Sequence, residues 1–221
     1  MEMENGKLKM KSKQLQINII RIIFFGLFIF IMSKGSPTLW LGIFGVSLVA
    51  ALFFGRIFCG WICPMNTLMI GTETLLNKFN VKLKDSPKWI ENGWLGWVLL
   101  IGGVLTMVVI KKLTGGEIPV LLYLLIFSML VTLRYKPEVF HNKVCPFGIL
   151  QGLIGRFAFL SRRVNLDKCV GCKLCETTCP AEAIVVSPQN GKAETNPQLC
   201  HQCFNCEFIC PVAAINYSKK K

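Results

Sequence analysis

Eight cysteines in the last quarter of the chain carry the strongest chemical signal in the sequence. They form two runs of the pattern C-x2-C-x2-C-x3-C-P. Three cysteines at this spacing wrap a short loop around one face of an iron–sulfur cube, and the fourth lies too far along the chain to close the same cube. The runs consist of Cys169, Cys172, Cys175, Cys179 and Pro180, then Cys200, Cys203, Cys206, Cys210 and Pro211.

The spacing therefore predicts two [4Fe–4S] clusters whose fourth ligands are exchanged between the runs. One cluster would take Cys169, Cys172, Cys175 and Cys210, and the other Cys200, Cys203, Cys206 and Cys179. Eight thiolates could also hold two zinc ions, but this spacing belongs to clusters and not to zinc ribbons. Residues 165–217 resemble the two-cluster bacterial-type ferredoxins, and the resemblance implies a small α+β domain over residues 162–221.

Composition points to a membrane protein. Of the 221 residues, 52% are apolar, which is high for a soluble domain. The 25 lysines and arginines outnumber the 12 acidic residues, a balance that often indicates nucleic-acid binding. The apolar runs make membrane topology the better explanation, and basic patches interleaved with aromatic residues are absent. The odd count of 11 cysteines argues against a disulfide framework and favours a reducing compartment, most simply the cytoplasm.

Four apolar stretches predict a membrane domain over residues 1–161, an all-α four-helix bundle. The stretches cover about 16–32, 38–58, 94–110 and 118–133, and each approaches the roughly 17–25 residues that a spanning helix needs. Arg21 interrupts the first stretch close to its basic end, from which its side chain can reach the interface. The first stretch could instead be a cleaved signal peptide, but the sequence SKGSP that follows is a poor cleavage site.

Basic residues predict the orientation of these spans. They concentrate before the first stretch, between the second and the third, and after the fourth, whereas the other two loops hold only three lysines. By the positive-inside rule, both termini and both cysteine runs would face the cytoplasm of a multi-pass inner-membrane protein. The basic residues that carry this prediction are Lys7, Lys9, Lys11, Lys13, Arg56, Lys78, Lys82, Lys84, Lys88, Arg134, Lys136, Lys143, Arg156, Arg162 and Arg163.

Two further Cys-Pro motifs end the second and fourth stretches. The first segment, residues 53–68, reads FFGRIFCGWICPMNTL, and the second, residues 135–150, reads YKPEVFHNKVCPFGIL. With the prolines aligned, Cys59 corresponds to His141 and Cys63 to Cys145. A helix with one apolar face is predicted after each proline, along the membrane interface. The membrane half therefore reads as a duplicated unit, with the copies related by an axis along the membrane normal.

The segment GRIFCGWICPMNTL resembles the signature of the NapH/MauN family of membrane ferredoxins, within a wider group of NosR-type and CcoG-type proteins. The resemblance covers nearly the whole chain and is strongest at residues 54–67 and 165–215. It implies four spans, two C-x3-C-P junctions and a cytoplasmic pair of ferredoxin motifs. It also implies electron transfer between membrane quinol and a redox partner.

His141 departs from the family pattern, which has a cysteine at that position. Imidazole replaces thiolate in many metal sites. If the two junctions face each other, Cys59, Cys63, His141 and Cys145 form a third redox or metal site between quinol and the cubes. The alternative is three buried cysteines and a solvated histidine at helix ends. His201, inside the second cysteine run, could donate to cluster sulfur or could simply face solvent.

Together these features predict an electron-transfer subunit of a quinol-dehydrogenase-like oxidoreductase that relays electrons through two [4Fe–4S] clusters. Its partners would be membrane lipid, the quinone pool and a redox protein within a larger complex, with no nucleic acid. The CcoG-like relatives suggest instead a metal reductase or a metallocofactor-maturation factor that uses Cys59 and Cys63. A third possibility is a membrane-anchored ferredoxin subunit without a quinone site.

Overall fold

The computed structural model describes residues 2–114 and 119–219, and the side chains of residues 12–113 and 119–219. Its contacts divide the chain into two compact units. Unit 1 comprises Met1–Ile23, Leu48–Ile62 and Gln151–Lys221, and unit 2 comprises Phe24–Ser47 and Cys63–Leu150. The predicted boundary between residues 161 and 162 thus falls inside unit 1, which combines the cysteine-rich segment with parts of the first two helices.

Helices dominate the first 155 residues. In the described part of the chain, three are long and apolar enough to cross a membrane, at Ser12–Ser33, Pro37–Phe54 and Trp94–Leu113. The helices are α1 (Glu2–Ser33), α2 (Pro37–Phe54), α3 (Pro64–Lys78), α4 (Trp94–Thr114), α5 (Val120–Thr132), α6 (Pro137–Val139) and α7 (Pro146–Gly155).

The fourth predicted span is shorter than expected. Its expected start at Ile118 lies outside the described residues, and α5 has 13 residues. At 1.5 Å per residue, such a helix covers roughly 20 Å of the ~30 Å hydrocarbon core. The prediction of four spanning helices is therefore not confirmed. Within unit 2, α5 packs against α3, and its buried Ser128 and Thr132 hydroxyls donate to the carbonyls of Leu125 and Ser128 one turn earlier.

The two Cys-Pro junctions have the same local backbone. A five-residue π-helical turn precedes each Cys-Pro pair, Phe58–Ile62 in the first and Phe140–Val144 in the second. Cys63 and Cys145 are both extended, with φ/ψ of −64°/120° and −69°/118°. The proline that follows each cysteine begins the next helix, where a missing N–H costs nothing. The correspondence that the sequence suggested is thus reproduced in the conformation of the backbone.

The cysteine-rich segment folds into the small α+β arrangement that was predicted for it. Strands β1 and β4 pair antiparallel with Val164 opposite Ile215, and β2 pairs antiparallel with β3. Several cysteines lie in the apolar core itself, beside Ile184 and Ile215. The elements are β1 (Leu160–Val164), α8 (Leu174–Thr177), β2 (Ile184–Val186), β3 (Ala193–Thr195), α9 (Asn205–Ile209) and β4 (Ile215–Lys219).

Each cysteine run shapes its loop with the same pattern of left-handed residues. We call residues 169–175 the first cluster loop and residues 200–206 the second cluster loop. Gly171 and Lys173 in the first loop have φ of 69° and 64°, and Gln202 and Phe204 in the second have φ of 57° and 69°. Such residues turn successive N–H groups towards one side of the loop, the arrangement that favours a negatively charged group.

Candidate metal centres

The first cluster loop and one cysteine of the second run surround a single cavity, which we call cavity 1. Its empty volume is about 330 Å³. Cys169, Cys172, Cys175 and Cys210 line it, and the rest of the wall is mainly apolar. These are the four residues that the spacing assigned to one cluster.

The second cluster loop surrounds a cavity of similar size, cavity 2, with an empty volume of about 350 Å³. Cys179, Cys200, Cys203 and Cys206 line this cavity, so the structure also brings the other predicted set together. The wall of cavity 2 includes an arginine, a histidine and an aromatic ring, namely Arg162, His201 and Phe204, whereas the lining of cavity 1 includes none of these residue types.

Backbone N–H groups donate to several of the cysteine sulfurs. The N–H groups of Ala183 and Ala214 donate to the Sγ atoms of Cys179 and Cys210, each at 3.3 Å. In each run the donor lies four residues after the cysteine, at the alanine of the sequence C-P-x-x-A. The N–H of Ala193 donates to Cys169 Sγ at 3.4 Å. Such bonds stabilise negative charge on sulfur and tune cluster potentials.

Because the thiols of the cluster loops are buried, their deprotonation is unfavourable when no metal is bound. Burial raises the pKa of Cys175, and it raises the pKa of Cys200 to about 12. Burial likewise raises the pKa of Cys203 and of Cys206. Because thiolates are the ligands of iron, the positive charge of the metal must offset this cost. Four sulfurs around an apolar cavity, with amides directed at them, fit an iron–sulfur cube.

Among the described residues, no three His, Cys, Asp or Glu side chains lie close enough to share one metal ion. This holds for the two cysteine-lined cavities as well. In a [4Fe–4S] cube each thiolate binds a different iron, so the four sulfurs surround the cluster and do not converge on one point.

The second cluster loop packs against the first π-helical turn, residues Phe58–Ile62, which we call the junction turn. The indole Nε1 of Trp61 donates to the Gln202 carbonyl at 3.2 Å, and its ring lies 5.6 Å from that of Phe204. At Gly60, an added Cβ would overlap the carbonyl oxygen of His201. Glycine is therefore required at this position, where two backbone segments are in direct contact.

His201 is 3% exposed and lines cavity 2. The prediction that His201 could simply face solvent is therefore wrong. The cause is the contact between its backbone and the junction turn, which covers this part of the loop. The spacing of the cysteines gave no signal for that contact, because Gly60 and His201 are far apart in the chain.

Two arginines lie close to the second cluster loop. Arg162, 2% exposed, lines cavity 2 and forms an ion pair with Glu207. Arg21 is 7% exposed, and its Nε donates to the Gly60 carbonyl at 2.8 Å. Arg21 was expected to extend to the membrane interface, and instead it is buried against the junction turn. The sequence marked Arg21 as unusual in an apolar stretch but gave no indication of its partner.

A third arginine, Arg56, connects the first junction to the cysteine-rich segment. Its Nη1 donates to the Gln198 carbonyl at 3.0 Å, and its Nη2 lies 3.7 Å from Cys59 Sγ. An added Cβ at Gly155 would lie 3.1 Å from the Arg56 side chain. The sequence analysis counted Arg56 only as a topology charge, whereas the structure places it in the interior of unit 1.

The four junction residues are all buried. Cys59 belongs to unit 1, and Cys63, His141 and Cys145 belong to unit 2. His141 is 1% exposed, so the alternative of a solvated histidine is wrong. Its Nε2 and Asn66 Oδ1 are 3.1 Å apart, within hydrogen-bonding distance. In the tautomer that carries the proton on Nε2, Nδ1 is the ring nitrogen that could bind a metal.

Two protein-family models match the chain. The model described as a 4Fe-4S binding domain matches twice, at residues 36–82 and 118–166, and each match contains one Cys-Pro junction. The model described as a 4Fe-4S dicluster domain matches residues 161–211. The double match agrees with the duplicated unit that the sequence indicated. No solved structure shows a significant match.

Curated relatives extend this likeness beyond the cysteine runs. Two uncharacterized proteins of Methanocaldococcus jannaschii are similar, MJ0749 (36% identity over 62% of this chain and 56% of the relative) and MJ0750 (30% over 73% and 74%). The ferredoxin-type protein MauN of Methylobacillus flagellatus is 28% identical over 68% of this chain and 58% of its own length. The ferredoxin-type protein NapH of Haemophilus influenzae is 24% identical over 67% and 56%.

The chain spans a little over half the length of MJ0749, MauN and NapH, and about three quarters of MJ0750. The matched parts are long enough to include membrane helices as well as cysteine runs. The chain matches two 4Fe-4S models, and three helices in its described part are long and apolar enough to cross a membrane. It belongs to the NapH/MauN-type family of iron–sulfur electron-transfer proteins.

Proposed function

We propose that the protein relays electrons between membrane quinol and a redox partner through two [4Fe–4S] clusters. Cys169, Cys172, Cys175 and Cys210 would hold one cluster in cavity 1. Cys200, Cys203, Cys206 and Cys179 would hold the other in cavity 2. When bound, each cluster exchanges one electron at a time, which matches the stepwise oxidation of a two-electron quinol.

The observation that carries this proposal is the packing of the second cluster loop on the junction turn. The turn follows α2, a candidate spanning helix, and Trp61 reaches from it to the wall of cavity 2 through Phe204. Electrons from the membrane would therefore enter at the second loop. The apolar side chains of Ala181, Ala183 and Ile184 line cavity 2 and exclude water from it.

The first cluster loop is suited to the opposite end of the path. Val170 is 63% exposed, and Cys172 and Leu174 are exposed as well. An exposed cluster edge allows a partner protein to approach closely enough for electron transfer. We propose that the redox partner docks here, and that the protein works within a larger complex.

The proposed setting is the inner membrane, with both termini and both cluster loops in the cytoplasm. The distribution of lysine and arginine between the loops supports this orientation. The reduced thiols that cluster assembly needs support the same side of the membrane. Fusion of a reporter protein to each terminus, with activity assayed on either side, would test the orientation.

The relay is tested with the purified full chain in detergent. Iron analysis should give about eight iron atoms per chain, and a menaquinol or ubiquinol analogue should reduce both clusters, as monitored by EPR. Dithionite provides the control, because it reduces clusters without a quinol site. Reduction by dithionite but by no quinol analogue would show a membrane-anchored ferredoxin subunit in place of a quinol dehydrogenase.

We separately propose a redox or metal role for Cys59, Cys63, His141 and Cys145. Their burial supports it, as does the Arg56 guanidinium beside the Cys59 sulfur. Serine substitution at all eight cluster cysteines would isolate this site. Iron or another metal that remains bound would support it, whereas a metal-free protein would contradict a metal role. Copper(II) or iron(III) reduction that depends on Cys59 and Cys63 would favour the metal-reductase alternative.

A further inference from the structure

We propose that Arg162 and Arg21 are fixed positive charges that raise the reduction potential of the cluster held by the second cluster loop, and that Glu207 limits the effect of Arg162. The inference rests on the proposed function, since it assumes a cluster in each cavity. It assigns a role to two buried arginines that the relay itself does not explain.

Arg162 is a buried cation in the wall of cavity 2. Its guanidinium carbon lies 3.7 Å from the ring centroid of Phe204 and 5.0 Å from that of Tyr217. Arg162 and Phe204 both line the cavity. The ion pair with Glu207 fixes the guanidinium in place, but Glu207 is partly exposed while Arg162 is almost fully buried. The positive charge is therefore less screened by water than the negative one.

Arg21 approaches the same loop from α1. Its hydrogen bond to the Gly60 carbonyl places it against the junction turn, and the Gly60 backbone in turn contacts His201.

The cations near cavity 1 are of a different kind. Lys173 lines that cavity and is exposed. Lys192 is half-buried, and its Nζ donates to the Cys169 carbonyl. Water screens the charge of the exposed Lys173, and Lys192 is less buried than Arg162. The two cavities therefore have similar sulfur ligands and differ in how strongly the surrounding charge acts.

The physical effect follows from the charge change on reduction. Each added electron makes a cluster more negative, and burial away from water opposes that change. A fixed positive charge nearby stabilises the reduced form, and it does so more strongly in a low-dielectric interior. The arginines would thus compensate for the burial of the cluster that faces the membrane, so that quinol can still reduce it.

The test is an EPR-monitored redox titration of the full chain in detergent, comparing wild type with Arg162→Gln, Arg162→Lys and Glu207→Gln. Arg162→Gln should shift one of two one-electron waves to lower potential. The expected size is on the order of tenfold in the equilibrium constant, or about 59 mV for one electron. Arg162→Lys should largely restore the potential, because it keeps the charge.

Glu207→Gln should shift the same wave in the opposite direction, to higher potential. A structural disturbance would not produce shifts of opposite sign from the two members of one ion pair. Arg21→Gln should lower the same wave, and Lys173→Gln, beside cavity 1, should leave that wave unchanged. If Arg162→Gln fails to assemble its clusters, Glu207→Gln decides alone.

The outcomes separate this inference from the proposed function. A wild-type protein with only one cluster would overturn both. Two waves that neither Arg162→Gln nor Glu207→Gln moves, or that move together by the same amount, would overturn the inference while the two-cluster relay stands.

Discussion

The first and second cluster loops follow the same backbone path, and the residues at corresponding positions show what surrounds each. Gly171 and Gln202 both have positive φ, which glycine adopts freely and glutamine adopts at a cost of roughly 1–2 kcal/mol. The carbonyl of Gln202 accepts the bond from Trp61, and its buried amide donates to Ser161 Oγ at 3.0 Å. These contacts offset the cost.

Gly171 makes its close contact within the cysteine-rich segment itself. An added Cβ there would overlap the carbonyl oxygen of Gly191, a neighbour inside the same small domain. The first loop is therefore shaped by its own domain and remains open to solvent. The second loop is shaped by the junction turn and is covered by it. In the proposed relay, this difference would distinguish a membrane end from a solvent end.

The largest effect is expected from Gly60→Val. Its side chain would force the junction turn and the second loop apart, at a cost of about 1–3 kcal/mol for overpacking. Quinol-dependent reduction of the clusters should fall on the order of tenfold or more, while dithionite still reduces both. Gly45→Val is the matched control, since an added Cβ at Gly45 meets nothing within 4 Å. Equal loss of activity in the two variants would contradict the proposed contact.

Gly171→Ala should damage the opposite loop. Both the positive φ and the overlap with Gly191 disfavour any side chain there. We expect the iron content to fall by about half, because one cluster of two is lost. Iron analysis together with EPR measures this. Gly191→Ala is a useful comparison, since its φ is also positive but no atom lies within 4 Å of the added Cβ. Full iron content in Gly171→Ala would show that the close approach is not needed.

A smaller effect is expected from Trp61→Phe. The variant keeps an aromatic ring beside Phe204 and removes only the N–H that donates to Gln202. One such hydrogen bond contributes about 0.5–1.5 kcal/mol. The rate of cluster reduction by a quinol analogue should fall several-fold, with unchanged iron content. Trp89→Phe serves as control, because Trp89 is exposed and lies in the other unit. An unchanged rate in Trp61→Phe would show that the Trp61 indole is not part of the proposed electron path.

The smallest effect is expected from Gln202→Gly. Glycine relieves the strain of the positive φ by about 1 kcal/mol, and the lost bond to Ser161 costs a similar amount. The midpoint of denaturant unfolding, followed by cluster absorbance, should therefore change little. Gln202→Ala loses the same bond without gaining the relief, so it should be the less stable variant. The reverse order would mean that the positive φ at this position costs no strain.

The sequence by itself determined the features that depend on local spacing. The two cysteine runs predicted which four cysteines surround each cavity, because the x2, x2, x3 intervals fix a loop conformation whatever the rest of the chain does. The aligned Cys-Pro junctions predicted two matching turns, since a proline that begins a helix sets the backbone around it. The apolar runs indicated membrane helices, three of which are long enough in the described part of the chain.

Only the tertiary structure decided which distant residues meet. In the structure, the fourth apolar helix covers only Val120–Thr132. His141 is buried next to Asn66, and Arg21 lies against the junction turn. Trp61 and Gln202 are 141 positions apart, and no periodicity or motif links them. Such contacts arise from the packing of whole elements, in which a buried charge or polar group must find a partner wherever the fold provides one. The spacing of the cysteines thus predicted the two clusters. The packing of distant elements made the second cluster loop different from the first.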